Sequence, residues 1–348
     1  MIDKKTDFSK IINNFEKTEK IPSIQIIKSK LDFVPKVTIA IPTFKRVDLL
    51  KEAIDSAINQ KFYSNYDIIV VDNDPQRGCE TEKLLTTYTD NRISYYKNSE
   101  NIGMSGNWNR LFELAQGEYV VMLHDDDLIV TSFLSACMQL VDDKPNLGIL
   151  KPMMHFFSDS LSLAEIENCE LNAKEKVGFG LGYLKRIYDI DNYSGFILGA
   201  PTGCLFKKKN VFTTGGFNQD FYPSLDYCFA FLISKHFETY ILKQKLVLYR
   251  IGVNETLKIS VLTGHVTDGF FLRRAILKST YLPDYFINKY LTYYTLNLIK
   301  SCKKLNVNFE FDLNILNLKS ENRKKLFLVS LFVQNYIRIV KLVKYKIV

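Results

Sequence analysis

Paired cysteines, a secretory leader, a dinucleotide loop and long apolar runs are all missing from this sequence, and each absence narrows what it does. The six cysteines (Cys79, Cys137, Cys169, Cys204, Cys228 and Cys302) have no CxxC spacing, which argues against a zinc site or disulfide framework and suits a reducing cytoplasm. Residues 1–20 are polar and charged where a secretory signal would be apolar, and no run approaches the ~20 apolar residues of a spanning helix. The expectation is a cytoplasmic protein that does not cross a membrane. No GxGxxG ends a strand-like run, so an NAD enzyme is not expected. No Gly-rich, Arg-containing phosphate loop follows the first strand, which argues against a nucleotidyltransferase. Histidine is scarce as well: His155, His236 and His265 have no partner at metal-ligand spacing and read as surface or core residues.

What is present is a globular composition, 47% hydrophobic and 24% charged, in 348 residues. That length suits one large α/β domain with a smaller appendage. The net charge of +8 could serve nucleic acid, anionic lipid or phosphorylated substrates. Its placement favours lipid. From Asn322 to Val348 there are seven Lys or Arg and no acid, with Arg338, Lys341 and Lys344 at helical spacing among Ile337, Ile339, Val340, Leu342 and Val343. This reads as a basic amphipathic helix lying on the inner membrane surface, or alternatively packing its apolar side on the body. Nucleic acid would rest on charge alone and is not expected; no oligomeric state is read from the sequence.

Along the chain, residues 1–36 show no clean period and read as an N-terminal extension. Buried strands are predicted over Val37–Ile41, Tyr66–Val71, Ile93–Tyr96, Tyr119–His124, Leu147–Met153, Cys204–Lys207 and Leu242–Arg250. Helices are expected over Leu49–Ile58, Glu80–Tyr88, Gly106–Ala115, Ser132–Val141, Tyr227–Ser234, Asp284–Lys303 and Lys319–Val348. Phe156–Ser194 reads as an insertion in which Gly178, Gly180 and Gly182 oppose a helix. The β-α-β-α-β order implies a mostly parallel sheet. Three domains follow: 1–36, 37–255 and a C-terminal helical, basic region over 256–348.

The apolar run Tyr119–Leu123 and His124 give way at once to Asp125, Asp126 and Asp127. Alone, the triplet also reads as a capped loop. In a parallel sheet, however, it shares one edge with Pro42-Thr43 and with Asp72, the edge where open α/β sheets bind ligands. Adjacent carboxylates repel, and a divalent cation with oxygen ligands would complete them. Asp226 falls in the first turn of a helix that Ser224 can cap, where the dipole favours an anion.

These stretches carry a family pattern: VTIAIPTFKR at 37–46, IIVVDND at 68–74, Asn101-Ile102-Gly103 with Asn109, Gly117-Glu118-Tyr119 before the aspartates, and Gly215-Gly216-Phe217 before Asp226. In them the chain resembles the family 2 glycosyltransferases of the GT-A fold, most of all bacterial members that build capsular or lipopolysaccharide chains. The resemblance implies a Rossmann-like, mostly parallel sheet flanked by helices. It also implies an inverting transfer from a nucleotide-diphosphate sugar, most often UDP-linked, to a lipid-linked or surface-glycan acceptor. By the same resemblance Asp125, Asp126 and Asp127 hold Mn or Mg, with Asp126 the favoured ligand because His124 stands where relatives place the first Asp. Pro42, Thr43, Arg46, Asp72, Asn101, Gly103, Asn109 and Asp125 would contact the nucleotide, and Asp226 would be the general base. Three departures stand out: Trp108 for an Arg, Leu225 for a Glu, and Gly252 for a His. The missing Glu and His leave open a catalytically silent scaffold subunit of a glycan-assembly complex as the alternative.

Overall fold

Val37–Thr43 (β2), Tyr66–Asp72 (β3) and Tyr119–Met122 (β5) are buried along their whole length, which is why they read as unbroken apolar runs. The structure, a computed structural model, describes residues 6–158, 165, 184–252, 258–319 and 321–346. Gly178, Gly180, Gly182 and Cys169 lie outside them. With Ile93–Asn98 (β4), these strands form a parallel block in the order β4-β3-β2-β5. Side chains alternate across it. Val37, Ile39, Ile41, Ile68 and Val70 face a core closed by Val47–Ile58 (α1), whereas Ala40, Ile69 and Val71 face Gly103–Leu114 (α3). On α1 the buried Leu50, Ala53, Ile54 and Ala57 keep the 3.6-residue period of one helix face.

The described sheet has ten strands and is mixed. Cys204–Lys207 (β9) lies antiparallel between β5 and Leu147–Phe157 (β7), and β7 pairs in parallel with Glu238–Arg250 (β10). Leu128–Ile129 (β6) and Leu184–Ile187 (β8) flank β10. Strands β7 and β10 run beyond their predicted ends because they continue to pair with each other through His155–Phe157 and from Glu238. The helix predicted over Ser132–Val141 is confined to Phe133–Met138 (α4).

Residues without a clear period near the N-terminus turn out to belong to the sheet. Ser23–Ile27 (β1) is an antiparallel edge strand on β4, its three isoleucines half-buried or exposed as befits an edge that faces solvent. Upstream, the Asn14 N–H donates to the Gly215 carbonyl at 2.9 Å, and Phe8 enters the helical core.

Beyond β10, Ile259–Lys278 (α7), Asp284–Leu305 (α8) and Arg323–Tyr345 (α9) build the helical subdomain, whose core takes in Tyr227 and Phe231 of Leu225–His236 (α6). Helix α9 is 23 residues long, and an 18-residue window reaches a mean hydropathy of 1.6. By length and composition it could cross a membrane, contrary to the sequence reading, in which Gln334, Asn335, Arg338 and Lys341 hide the apolar run. It buries Leu326, Val333 and Ile337 on the body, pairs Lys341 with Asp191 at 2.7 Å, and leaves Leu328, Phe332, Ile339, Leu342 and Val343 exposed.

Candidate functional site

The carboxyl ends of β2 and β5 open into a cavity of about 620 Å³, closed on its far side by the start of α6 and by α7. At the β2 end, the Thr43 hydroxyl donates to Asp125 at 2.8 Å, fixing that carboxylate toward the strand rather than its neighbours. Arg46, just before α1, places Nη1 2.8 Å from Asp126 Oδ2 and 3.7 Å from Asp125 Oδ1. Arg250, at the end of β10, secures the aspartate loop from behind. Its backbone N–H donates to Asp127 at 2.8 Å, its Nε to the Asp126 carbonyl at 3.0 Å, and its Nη2 to Glu52 at 2.7 Å.

The residue brought next to Asp126 and Asp127 is His124, not Asp125: one donor atom from each lies within 4.8 Å of the others. Among the described residues His124 Nε2 and Asp127 Oδ2 are buried and have no hydrogen-bond partner. Such orphaned acceptors are costly unless something binds them. Burial holds the His124 imidazole neutral, its pKa pushed down to about 4, and raises Asp125 and Asp127 to about 7, with the charge of Asp126 adding to the rise in both. A neutral imidazole with two carboxylates is a nitrogen–oxygen donor set that suits Mn better than Mg. Trp108 stacks on the His124 ring at 5.3 Å and so fixes its plane.

Asp226 faces the same cavity from the first turn of α6. The Tyr227 N–H donates to its Oδ1 at 2.8 Å, and burial lifts its pKa to about 7. His265, on α7, also lines the cavity, with Nδ1 3.1 Å from the hydroxyl of Ser224 at the α6 N-cap. Nothing in the sequence ties it to a site 39 residues upstream, because only the packing of α7 on the α6 turn brings it there.

Of the other expected nucleotide contacts, Pro42, Asn101 and Gly103 line the cavity. Asp72 and Asn109 are placed elsewhere. Asp72 ends β3 with its carboxylate taken up by its neighbours, Lys97 Nζ and the Tyr95 hydroxyl each donating to it at 2.8 Å, and it does not line the cavity. Its successor Asn73 does, its Nδ2 donating to Asn101 at 2.7 Å. Asn109 is spent on the backbone of Phe217, donating to the carbonyl at 2.9 Å and accepting from the N–H at 2.8 Å. This clamp explains the Gly215-Gly216 pair: a Cβ on Gly216 would come 2.5 Å from the Asn109 oxygen, and one on Gly215 1.9 Å from the Ile12 carbonyl oxygen.

Residues 38–197 match Glycosyl transferase family 2. The chain is 33% identical over 192 residues to the GalNAc(5)-diNAcBac-PP-undecaprenol beta-1,3-glucosyltransferase of Campylobacter jejuni, covering 54% of this chain and 57% of that relative's length. Two solved structures share the fold. The mannosyltransferase PcManGT from Pyrobaculum calidifontis, in complex with GDP-Man and Mn2+, superposes with a TM-score of 0.52 at 16% identity over 95% of this chain and 92% of that one. Residues 1–349 of S. aureus TarS in complex with UDP give 0.52 at 13% identity, over 90% and 92%. The fold is thus GT-A, and residues 38–197 carry the match to glycosyl transferase family 2.

Proposed function

We propose that this protein is an inverting, metal-dependent glycosyltransferase that moves a sugar from a nucleotide diphosphate, UDP by preference, to a hydroxyl of a lipid-linked or surface glycan at the cytoplasmic face of the membrane. One observation carries the reading: Asp226, lifted to a pKa of about 7, shares a single cavity with Arg46, Asp125 and Asp126. A base and a charged cradle lining one cavity are what in-line displacement needs.

In this mechanism Asp226 accepts the proton of the acceptor hydroxyl. The freed oxygen attacks the anomeric carbon, and the bond from that carbon to the diphosphate breaks with its electron pair leaving on the diphosphate. Attack opposite the leaving group inverts the centre. Arg46 and Lys45, both lining the cavity, face the developing negative charge. His124, Asp126 and Asp127 would hold a divalent cation, Mn before Mg, whose charge stabilises the departing diphosphate when bound. Pro42, Thr43, Asn73, Asn101 and Gly103 shape the nucleotide end, and Asp72 acts through the turn that carries Asn73. The pieces divide as 1–36, 37–255 and 256–348, the last bringing the exposed apolar side of α9 to the membrane.

The kinship to an enzyme whose name specifies an undecaprenol-linked substrate supports a lipid-linked acceptor. The test is donor turnover: purified protein with Mn is given UDP-, GDP- and dTDP-sugars and a lipid-linked acceptor extract, and nucleotide diphosphate release is followed. Turnover that vanishes in Asp226→Asn supports the enzyme. Nucleotide-sugar binding without turnover in the wild type would instead indicate a silent scaffold.

A further inference from the structure

A second cavity, of about 330 Å³, lies in the helical subdomain between α8 and α9 and takes no part in the chemistry above. Tyr290, Tyr293 and Tyr294 of α8 form one wall, and Ser330 and Gln334 of α9 the other. Its size falls in the range of roughly 300–1,000 Å³ typical of small-molecule sites. Its lining is chemically selective: tyrosine rings, hydroxyls and side-chain amides, with one aliphatic side chain, Leu298, and no charged group. An anion would find no cation there, and a lipid tail would find too little apolar wall. Ser330 adds an independent sign of a ligand. It is 1% exposed, and its Oγ has no hydrogen-bond partner among the described residues, so the fold leaves a buried hydroxyl unsatisfied where the cavity begins.

We propose that this cavity is a second saccharide site, which holds a neutral sugar unit of the glycan at a distance from the reacting hydroxyl. The apolar faces of a pyranose stack on tyrosine rings while its hydroxyls exchange hydrogen bonds with Ser330, Gln334 and Asn297, the division of labour that amphipathic aromatics provide. A pair of ring–cation contacts runs from this cavity to the residue beside Asp226. Tyr294 covers the Arg273 guanidinium at 3.9 Å, and the same guanidinium lies 5.4 Å from the ring of Tyr227, next in sequence to Asp226. The assignment to a glycan unit rests on the transferase reading; the binding of a neutral sugar does not.

Ligand-observed saturation-transfer NMR on the full chain tests it with glucose, galactose and N-acetylglucosamine as probes, glycerol as the control, and UDP with diamagnetic Mg as competitor. Wild type is expected to show sugar signals that persist under UDP and Mg. Tyr293→Ala and Gln334→Ala, both at partly exposed positions, are expected to lose those signals while keeping the wild-type melting temperature and thermal response to UDP. Absent sugar signals, signals displaced by UDP, or signals unchanged in both variants would each overturn the second site. A protein that binds these sugars but gives no thermal response to any nucleotide sugar would overturn the transferase reading instead.

Discussion

Arg46 Nη1 lies 2.8 Å from Asp126 Oδ2, so a side-chain cation already sits on the carboxylate best placed to ligate a metal. The two cations compete for one oxygen. Replacing Arg46 by Gln is therefore expected to tighten Mn binding to the nucleotide-free protein. It is also expected to weaken UDP binding by about 10–100-fold, the worth of a charge-assisted hydrogen bond of roughly 1.5–3 kcal/mol. Titration calorimetry reads both. If Arg46→Gln weakens Mn and UDP alike, Arg46 supports the aspartate loop rather than competing for it.

The four side chains at the end of β5 are not equivalent. Asp126→Asn and Asp127→Asn are expected to abolish measurable Mn binding, and His124→Ala to weaken it. Asp125 is held by Thr43 at 2.8 Å, and Asp125→Asn should behave as an outer-shell change, costing about 10–100-fold in metal affinity. Mn titrations of the series, followed by electron paramagnetic resonance, rank them. A ranking with Asp125→Asn worst and His124→Ala neutral would return the site to the plain aspartate triplet.

Asp72 and Lys97 are both buried and 2.8 Å apart. Removing one partner strands the other's charge, so Lys97→Met should destabilise the protein by about 3–5 kcal/mol. Asp72→Asn is expected to act mainly on stability and only indirectly on nucleotide affinity, through the turn that aims Asn73. Denaturant melts beside UDP titrations separate the two effects. A stable Asp72→Asn variant with lost UDP affinity would make Asp72 a direct contact.

That pair also marks where the sequence stops being legible. Strands β2, β3 and β5 are buried on both faces, so their apolar runs stand out and the sheet edge with Thr43 and the aspartates follows. Pairing along that edge sets Thr43 and Asp72 side by side, but does not say that the Asp72 carboxylate is taken up by Lys97 and Tyr95. One residue decides whether Asp72 or Asn73 reaches the cavity. Motif spacing likewise marks Asn109 without distinguishing a ligand contact from its clamp on Phe217. His265 depends on long-range packing of α7, and β1 on pairing with the distant β4.

The pH dependence of transfer should follow Asp226. Its pKa of about 7 makes the base half-ionised near neutrality, so kcat/KM is expected to rise with pH and level off above that value, falling about tenfold per unit below it. Stability runs the other way. Folded Asp226 keeps its proton to higher pH than the unfolded chain, so stability declines between 3.8 and about 7 and is level beyond. Asp226→Asn should abolish all but 10⁻² to 10⁻⁴ of the rate, on the order expected for losing a general base, and should raise the melting temperature at alkaline but not at acid pH. A pH profile flat across neutrality in the wild type would count against Asp226 as the base.

Helix α9 turns two faces to two environments. Leu326, Val333 and Ile337 are buried on the body, so deleting the helix would expose core and confound any binding assay. Point changes on the outer face avoid this. Leu328, Ile339 and Val343 are 65%, 62% and 75% exposed, and Glu at each removes apolar contact and adds a charge that anionic lipid repels, while leaving the packed side intact. Wild type should float with vesicles containing phosphatidylglycerol and remain in the pellet fraction with neutral phosphatidylcholine alone. The triple Glu variant should stay off both at an unchanged melting temperature. Arg323, Lys324 and Lys325 would supply an anionic-lipid preference, each near the surface contributing about 1 kcal/mol, so raising the salt should release wild type progressively. Flotation of the triple variant equal to wild type would remove α9 as the membrane contact and leave its outer face to another role.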